Sequence, residues 1–216
     1  TDEVYEILEL SRDLKHKQKN GIEHHILKGK TLGMIFQKSS TRTRVSFEAG
    51  MYQLGGSALF LSSNDLQIGR GEPVRDTARV LARYLDGIMI RTFSHAEVEE
   101  LAAYADIPII NGLTDLLHPC QALADVFTVM EHKGTLAGLK MAYIGDGNNM
   151  ANALMHACAK LGMHISVATP SGYEPDKSIV AEAEAAAAES GSKIIITNEP
   201  LEAADGADVL YTDVWA

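Results

Sequence analysis

The 216-residue chain predicts an α/β fold built as two domains, each a parallel sheet flanked by helices. Two observations predict it. Short apolar runs alternate with helical runs along most of the chain, the pattern of a parallel α/β sheet. The alternation also falls into two series, separated by the short polar turn His132-Lys133-Gly134. A third observation bears on the site: hydroxyl, amide and guanidinium groups collect directly after the apolar runs, and open α/β sheets bind ligands at the carboxyl ends of their strands.

In the first series the strand-like runs are Thr31–Phe36, Ala58–Ser62, Gly87–Thr92 and Ile107–Asn111. Helices are expected at Thr41–Leu54, Val74–Leu85 and Ser94–Ala105. Val45 to Leu54 reads as a buried helix stopping at Gly55-Gly56, and Ser94 with Glu97 forms a capping-box signature. Strands near Lys140–Gly145, His164–Ala168, Lys193–Thr197 and Val209–Val214 make the second series. Its helices are expected near Asn149–Leu161 and Asp176–Ser190, with a short turn around Leu201–Ala204. Ala181–Glu189, nearly all Ala and Glu, is a strong helix former expected on a solvated face.

Composition restricts what such a fold can do. Hydrophobic residues make up 46% of the chain, charged residues 22%, and the formal net charge is −10, the profile of a globular protein rather than a disordered one. An acidic protein repels a nucleic-acid backbone, so an anionic ligand must be held by a local basic pocket. No apolar run is long enough to span a bilayer, and the N-terminus lacks a signal-peptide pattern, which leads us to expect a soluble intracellular enzyme with no membrane partner. Cys120 and Cys158 stand in unrelated contexts, fitting a reducing compartment and offering no metal-ligand spacing.

Lys38-Ser39-Ser40-Thr41-Arg42-Thr43-Arg44 follows the first strand and opens a helix. Unpaired N–H groups and the positive end of the helix dipole favour an anion there, and arginine adds multidentate recognition of phosphate oxygens. A plain helix cap with solvated arginines is the competing reading. Arg91 lies at a strand end and points to the same kind of crevice, unless it serves only a surface ion pair. Gln67 sits in a polar, glycine-containing loop that can fold over a site or simply connect two elements.

His118-Pro119-Cys120-Gln121 brackets a helix start, with Pro119 suited to the first helical position. It offers imidazole and amide donors within one turn, able to stabilise negative charge developing on a carbonyl oxygen; alternatively His118 caps the helix. Cys120 reads as a small core residue rather than a nucleophile, since no paired base is evident. Gly145-Asp146-Gly147-Asn148-Asn149 follows a strand but is not a dinucleotide fingerprint. Met150 replaces the third glycine, and the next strand ends in Ala168-Thr169-Pro170 without a ribose-binding acid. The glycines instead let a tight turn present Asn148 or Asn149 to a polar substrate. Asp213, near the last strand's end, can pair with an ammonium group or be a buried structural acid.

Together, Ser40-Thr41-Arg42-Thr43-Arg44-Val45-Ser46-Phe47-Glu48, Asp65-Leu66-Gln67-Ile68-Gly69-Arg70-Gly71-Glu72, Arg91-Thr92-Phe93, His118-Pro119-Cys120-Gln121, Gly145-Asp146-Gly147-Asn148-Asn149 and Asp213-Val214-Trp215 resemble the ornithine carbamoyltransferases. The phosphate motif and His-Pro-x-Gln are shared with aspartate carbamoyltransferases, whereas the Gln67 loop and the Asp-Val-Trp ending resemble the ornithine branch. The resemblance implies a carbamoyl phosphate-binding domain over 1–133 and an ornithine-binding domain over 134–216. It implies that Ser40, Thr41, Arg42 and Thr43, assisted by Gln67, hold the phosphate of carbamoyl phosphate. Arg91, His118 and Gln121 would hold the carbamoyl end, with Arg42, Arg91 and His118 as the catalytic groups, and Asn149 and Asp213 would contact the α-amino acid part of L-ornithine. No metal or organic cofactor is implied, and the family forms trimers, in the cytoplasm or in the mitochondrial matrix of an animal.

The sequence stops at Ala216, whereas the family pattern continues with a Ser-Met-Gly loop, a His-Cys-Leu-Pro motif and a final helix. The resemblance thus implies that the second domain is incomplete, in a fragment or an incompletely supplied polypeptide whose second sheet exposes apolar surface. Two other functions fit the residues: carbamoyl transfer to another amine such as putrescine, and noncatalytic anion binding.

Overall fold

The computed structural model describes residues 1–63 and 66–214. Asn64, Asp65 and Trp215, which belong to the loop and terminal motifs above, lie outside the described residues. Residues 5–115 form one compact unit and residues 1–4 with 116–216 the other. The boundary expected from the turn at His132-Lys133-Gly134 falls at the end of a helix belonging wholly to the second unit.

Helix α1, Asp2–Lys19, opens the chain and was not foreseen from the sequence. Leu8 is its one buried residue. The first unit continues as β1 (Thr31–Phe36), α2 (Thr41–Gln53), β2 (Ser57–Ser62), a single 3-10 turn (Gln67–Arg70), α3 (Val74–Leu81), β3 (Gly87–Arg91), α4 (His95–Tyr104) and β4 (Ile109–Leu113). Its sheet is parallel, in the order β2-β1-β3-β4. Alternation along β1 sends Leu32, Met34 and Phe36 to a cluster with Met51 of α2 and Met89 of β3. Ile35 goes to the opposite cluster, with Ile88 and Ile90 of β3, Ala78 of α3, and Val98 and Leu101 of α4.

Two expectations about this unit fail. Helix α2 is not buried: only Met51 is, while Val45 is 57% and Tyr52 81% exposed. It packs on its own sheet through Met51 and the partly buried Phe47. The capping box at Ser94 does not form either, since the Ser94 side chain makes no cap bond. The Glu97 carboxylate instead accepts from Gln37 Nε2 at 2.9 Å and from the Thr92 hydroxyl. A tertiary clamp between the loops after β1 and β3 has outcompeted the local cap. Two strong donors converging on one carboxylate are worth more than one reach-back bond.

The second unit runs α5 (Pro119–Lys133), β5 (Lys140–Ile144), α6 (Asn149–Leu161), β6 (His164–Ala168), α7 (Lys177–Ser190), β7 (Ile194–Thr197), α8 (Pro200–Ala204) and β8 (Val209–Tyr211). Its parallel sheet has the order β7-β6-β5-β8. Helix α6 is buried along nearly its whole length. Helix α7 is not simply the solvated face expected of its Ala-Glu run. Ile179, Ala183 and Ala187, four residues apart, form a buried stripe, and the glutamates take the outer face. On the other side of the sheet Ala203 of α8 meets Ala142 and Ala168. The outer strands keep apolar residues exposed, Ile195 and Ile196 on β7 and Leu210 on β8.

A loop contact fixes the end of β5. Gly147 N–H donates to the Tyr173 carbonyl at 2.8 Å, so close that a Cβ at this position would overlap the backbone of Glu174 and Pro175. Backbone cannot yield as a side-chain tip can. Gly147→Ala is therefore expected to destabilise the protein by about 1–3 kcal/mol, the usual cost of overpacking, read as a lowered midpoint in urea unfolding. Wild-type stability would show that the Tyr173–Pro175 loop moves freely.

Candidate active site

The chain order of the first sheet reverses direction between β1 and β3: β2 lies on one side of β1, and the next crossover places β3 on the other. Ligands bind outside the carboxyl ends of strands at such a switch point. The two sequence-predicted groups of this unit meet there. Phe36 and Arg91 are register partners at the ends of β1 and β3, and alternation places Arg91 on the face of Met89, which α2 covers.

Helix α2 begins at Thr41 with Ser40 as its N-cap. Ser40 Oγ accepts from Thr43 N–H at 3.2 Å and donates to Thr43 Oγ1 at 3.0 Å. The capping reading and the anion reading thus coexist, because the cap satisfies one N–H of the first turn and leaves the others available. Arg91 Nη1 makes a long 3.5 Å bond to Thr43 Oγ1. Its buried Nε has no hydrogen-bond partner among the described residues. Burial lowers the pKa of Arg91, and the charge of Arg42 lowers it further. Two guanidinium groups, a helix N-terminus and an unused donor therefore share one place, an arrangement that an anion stabilises.

The two arginines of the motif have separate fates. Arg44 pairs with Glu48 at 3.0 Å, and its guanidinium lies 3.8 Å from the centre of the Phe60 ring, so it is consumed by the fold. Arg42 is exposed. Lys38 is bound to Asp115 at 3.2 Å. Gln67 opens the 3-10 turn and is exposed.

The second sheet repeats the device, with its switch point between β5 and β8. Asn148 caps α6, its Oδ1 accepting from Met150 N–H at 2.9 Å and Ala151 N–H at 3.4 Å. Its Nδ2 donates to Asp213 Oδ2 at 3.5 Å. Of the two asparagines considered, Asn148 is thus taken up by structure, and Asn149 occupies the first helical position. Asp213 lies two residues beyond β8 and is half-buried, placed at the strand-end crevice.

His118 is the N-cap residue of α5, but its side chain makes no cap bond, and Pro119 takes the first helical position. The capping alternative for His118 thus does not hold. Gln121 is exposed, and its Nε2 donates to Asp125 Oδ1 at 2.8 Å. Burial raises the pKa of Asp125 while the Gln121 bond lowers it.

Three side chains of this cluster were missed in the sequence. Tyr143 and Tyr211 are register partners on β5 and β8, with stacked rings 5.9 Å apart. The Tyr143 hydroxyl donates to the Asp146 carbonyl at 2.7 Å and reaches Asn148 Oδ1 at 3.3 Å. Burial, with Asp213 beside Tyr143 and Asp125 beside Tyr211, drives both phenol pKa values up, so both remain neutral donors. The available signal was a phenol near the end of each of two otherwise aliphatic runs; the third missed residue, Asp125, follows Gln121 by one helical turn. Among the described residues no group of His, Cys, Asp and Glu is arranged to hold a metal ion. No described helix is long and apolar enough to cross a membrane.

Fold and site define a two-unit α/β protein with an anion-binding switch point in one unit and a polar, acid-containing switch point in the other. The first 131 residues match the family model described as aspartate/ornithine carbamoyltransferase, carbamoyl-P binding domain, and residues 137–216 match its Asp/Orn binding domain. The chain belongs to the aspartate/ornithine carbamoyltransferase family. It is 65% identical over 215 residues to an ornithine carbamoyltransferase of Anoxybacillus flavithermus, covering 100% of this chain and 68% of that relative. An ornithine carbamoyltransferase of Carboxydothermus hydrogenoformans is 60% identical, with 100% and 69% covered. Among solved structures, the ornithine carbamoyltransferase from Pyrococcus furiosus superposes with a TM-score of 0.97 at 56% identity, covering 100% of this chain and 69% of that one.

Both cysteines are disfavoured as nucleophiles. Burial raises the Cys120 thiol and pushes Cys158 up to about 12. Because only the thiolate reacts, Cys158 should resist iodoacetamide at pH 8 until the protein is unfolded, and Cys120 should react several-fold more slowly than a free thiol. Mass spectrometry of the modified peptides reads both; rapid labelling of native Cys120 would contradict the assignment.

Proposed function

We infer that this chain is a carbamoyltransferase, moving the carbamoyl group of carbamoyl phosphate to the δ-amine of L-ornithine to give L-citrulline and phosphate. The observation that carries the reading is the positive charge of Arg91 and Arg42 at the N-terminus of α2, which no carboxylate pairs with among the described residues, in a chain similar over its whole length to ornithine carbamoyltransferases.

In this reading Ser40, Thr41, Arg42 and Thr43, with Gln67, bind the phosphate. Arg91, His118 and Gln121 hold the carbamoyl end, and Asn149 and Asp213 hold the α-amino acid part of ornithine. The neutral δ-nitrogen attacks the carbamoyl carbon and forms the new C–N bond. The carbonyl oxygen gains negative charge, which Arg91 and His118 stabilise as preorganised donors. The tetrahedral intermediate then breaks its C–O bond to phosphate, whose departing charge Arg42 and the helix N-terminus offset, and the nitrogen loses a proton. Fixing both substrates makes the attack effectively intramolecular.

The two substrates are assigned to domains over 1–133 and 134–216, a division supported by family models that match residues 1–131 and 137–216. Work in arginine metabolism, a cytoplasmic location and a homotrimer complete the proposal. The exposed apolar residues of α2, Val45 and Tyr52, favour self-association.

The test is made on the complete polypeptide that carries this chain, assaying citrulline formation with ornithine and the corresponding product with putrescine. Turnover with ornithine and not putrescine is expected. Arg42→Ala and Arg91→Ala should each lower kcat/KM by about 100-fold or more, the usual loss for one transition-state donor. An Arg91→Ala enzyme with near-normal turnover refutes the oxyanion role. Calorimetric binding of carbamoyl phosphate without product would favour a noncatalytic anion-binding protein.

A further inference from the structure

We propose that Asp125 is a positioning residue that sets which way the Gln121 amide faces, and through it the preference for a carbamoyl over an acyl group. The proposal rests on the reading above, in which Gln121 meets the carbamoyl end of the substrate.

The two residues are four apart on α5 and share a helix face. Gln121 Nε2 lies 2.8 Å from Asp125 Oδ1. A glutamine amide has a donor end and an acceptor end of nearly the same shape, and its neighbours decide which is which. An ionised carboxylate only accepts, so Asp125 fixes the NH2 end toward itself. The Oε1 end then faces outward from an exposed side chain. Gln121 therefore presents an acceptor, whereas the sequence suggested a donor.

The carbamoyl group has complementary ends: its carbonyl oxygen accepts and its NH2 donates. Arg91 and His118 supply donors for the oxygen, so an acceptor at Gln121 suits the NH2. An acyl phosphate with a methyl in place of that NH2 leaves the acceptor unpaired, which costs binding.

Asp125 is itself held in place from the sheet. The Tyr211 hydroxyl lies beside its carboxylate and influences its ionisation. The carboxylate's Oδ2 is buried on this side. Tyr211 is in turn stacked on Tyr143, its register partner. The orientation of one exposed amide on α5 is thus anchored to the pair β5–β8, at the end that carries Asp213.

The experiment measures calorimetric affinities for carbamoyl phosphate and acetyl phosphate, which differ in NH2 against CH3, in the complete polypeptide. Wild type is compared with Asp125→Asn, Asp125→Ala and Gln121→Ala, each checked for folding by circular dichroism. The wild type should prefer carbamoyl phosphate by about tenfold, the worth of one hydrogen bond. Asp125→Ala should bring that ratio close to one while acetyl phosphate affinity is kept, and Asp125→Asn, whose amide can face either way, should lower it several-fold. Gln121→Ala should also abolish the preference. If Gln121→Ala removes it and both Asp125 variants retain it, or weaken both ligands in equal proportion, Asp125 does not orient the amide and the proposal falls. A preference that survives Gln121→Ala overturns the assignment of Gln121 to the carbamoyl end, and the proposal with it.

Discussion

The first unit holds a positive charge that its described residues do not neutralise. Arg91 gives one long bond to Thr43, keeps a buried Nε unpaired, and feels Arg42 as a like charge. Such an arrangement costs folding free energy, and a protein retains it where a ligand supplies the missing charge. Much of the surrounding structure serves to keep these groups together. The β1–β3 pairing sets Arg91 opposite Phe36, the Ser40 cap fixes the start of α2, and Glu97 ties the loops after β1 and β3 to each other.

The second unit applies the same topology to a different chemistry. Its switch point carries an acid, an amide and two phenols instead of guanidinium groups. Asn148 is capped into α6 and bonded to Asp213, and the Tyr143–Tyr211 stack braces the strands behind them. One unit thus suits an anion and the other a group with positive or donor character. That division matches a reaction between a phosphorylated carbonyl compound and an amino acid.

Both strand series were legible because parallel strands are short, apolar and separated by helices of recognisable length. Boundaries shifted by up to four residues, as with Val74–Leu81 in place of Val74–Leu85 and Ile109–Leu113 in place of Ile107–Asn111. Helix α1 went unrecognised although Val4, Ile7, Leu8 and Leu14 recur at helical spacing. The buried stripe on α7 was hidden by alanine, which suits a solvated helix and a tight helix contact equally well. The Ser94–Glu97 signature misled because a local cap competes with any stronger partner brought in from elsewhere in the chain.

By itself, the sequence determined the fold class, the order of elements and the motifs at strand ends, since these depend on local spacing and on which residue types bind anions. Tertiary structure alone decided which of the polar groups are spent and which are free. Arg44 went to Glu48 and Phe60, Asn148 to the cap of α6, and Glu97 to a loop clamp. It also decided which end of the Gln121 amide faces outward. The reason is physical: a polar side chain's role is set by its strongest available partners, which for Glu97 lie on the loops after β1 and β3, while Arg44 adds the Phe60 ring of β2 to its helix neighbour Glu48.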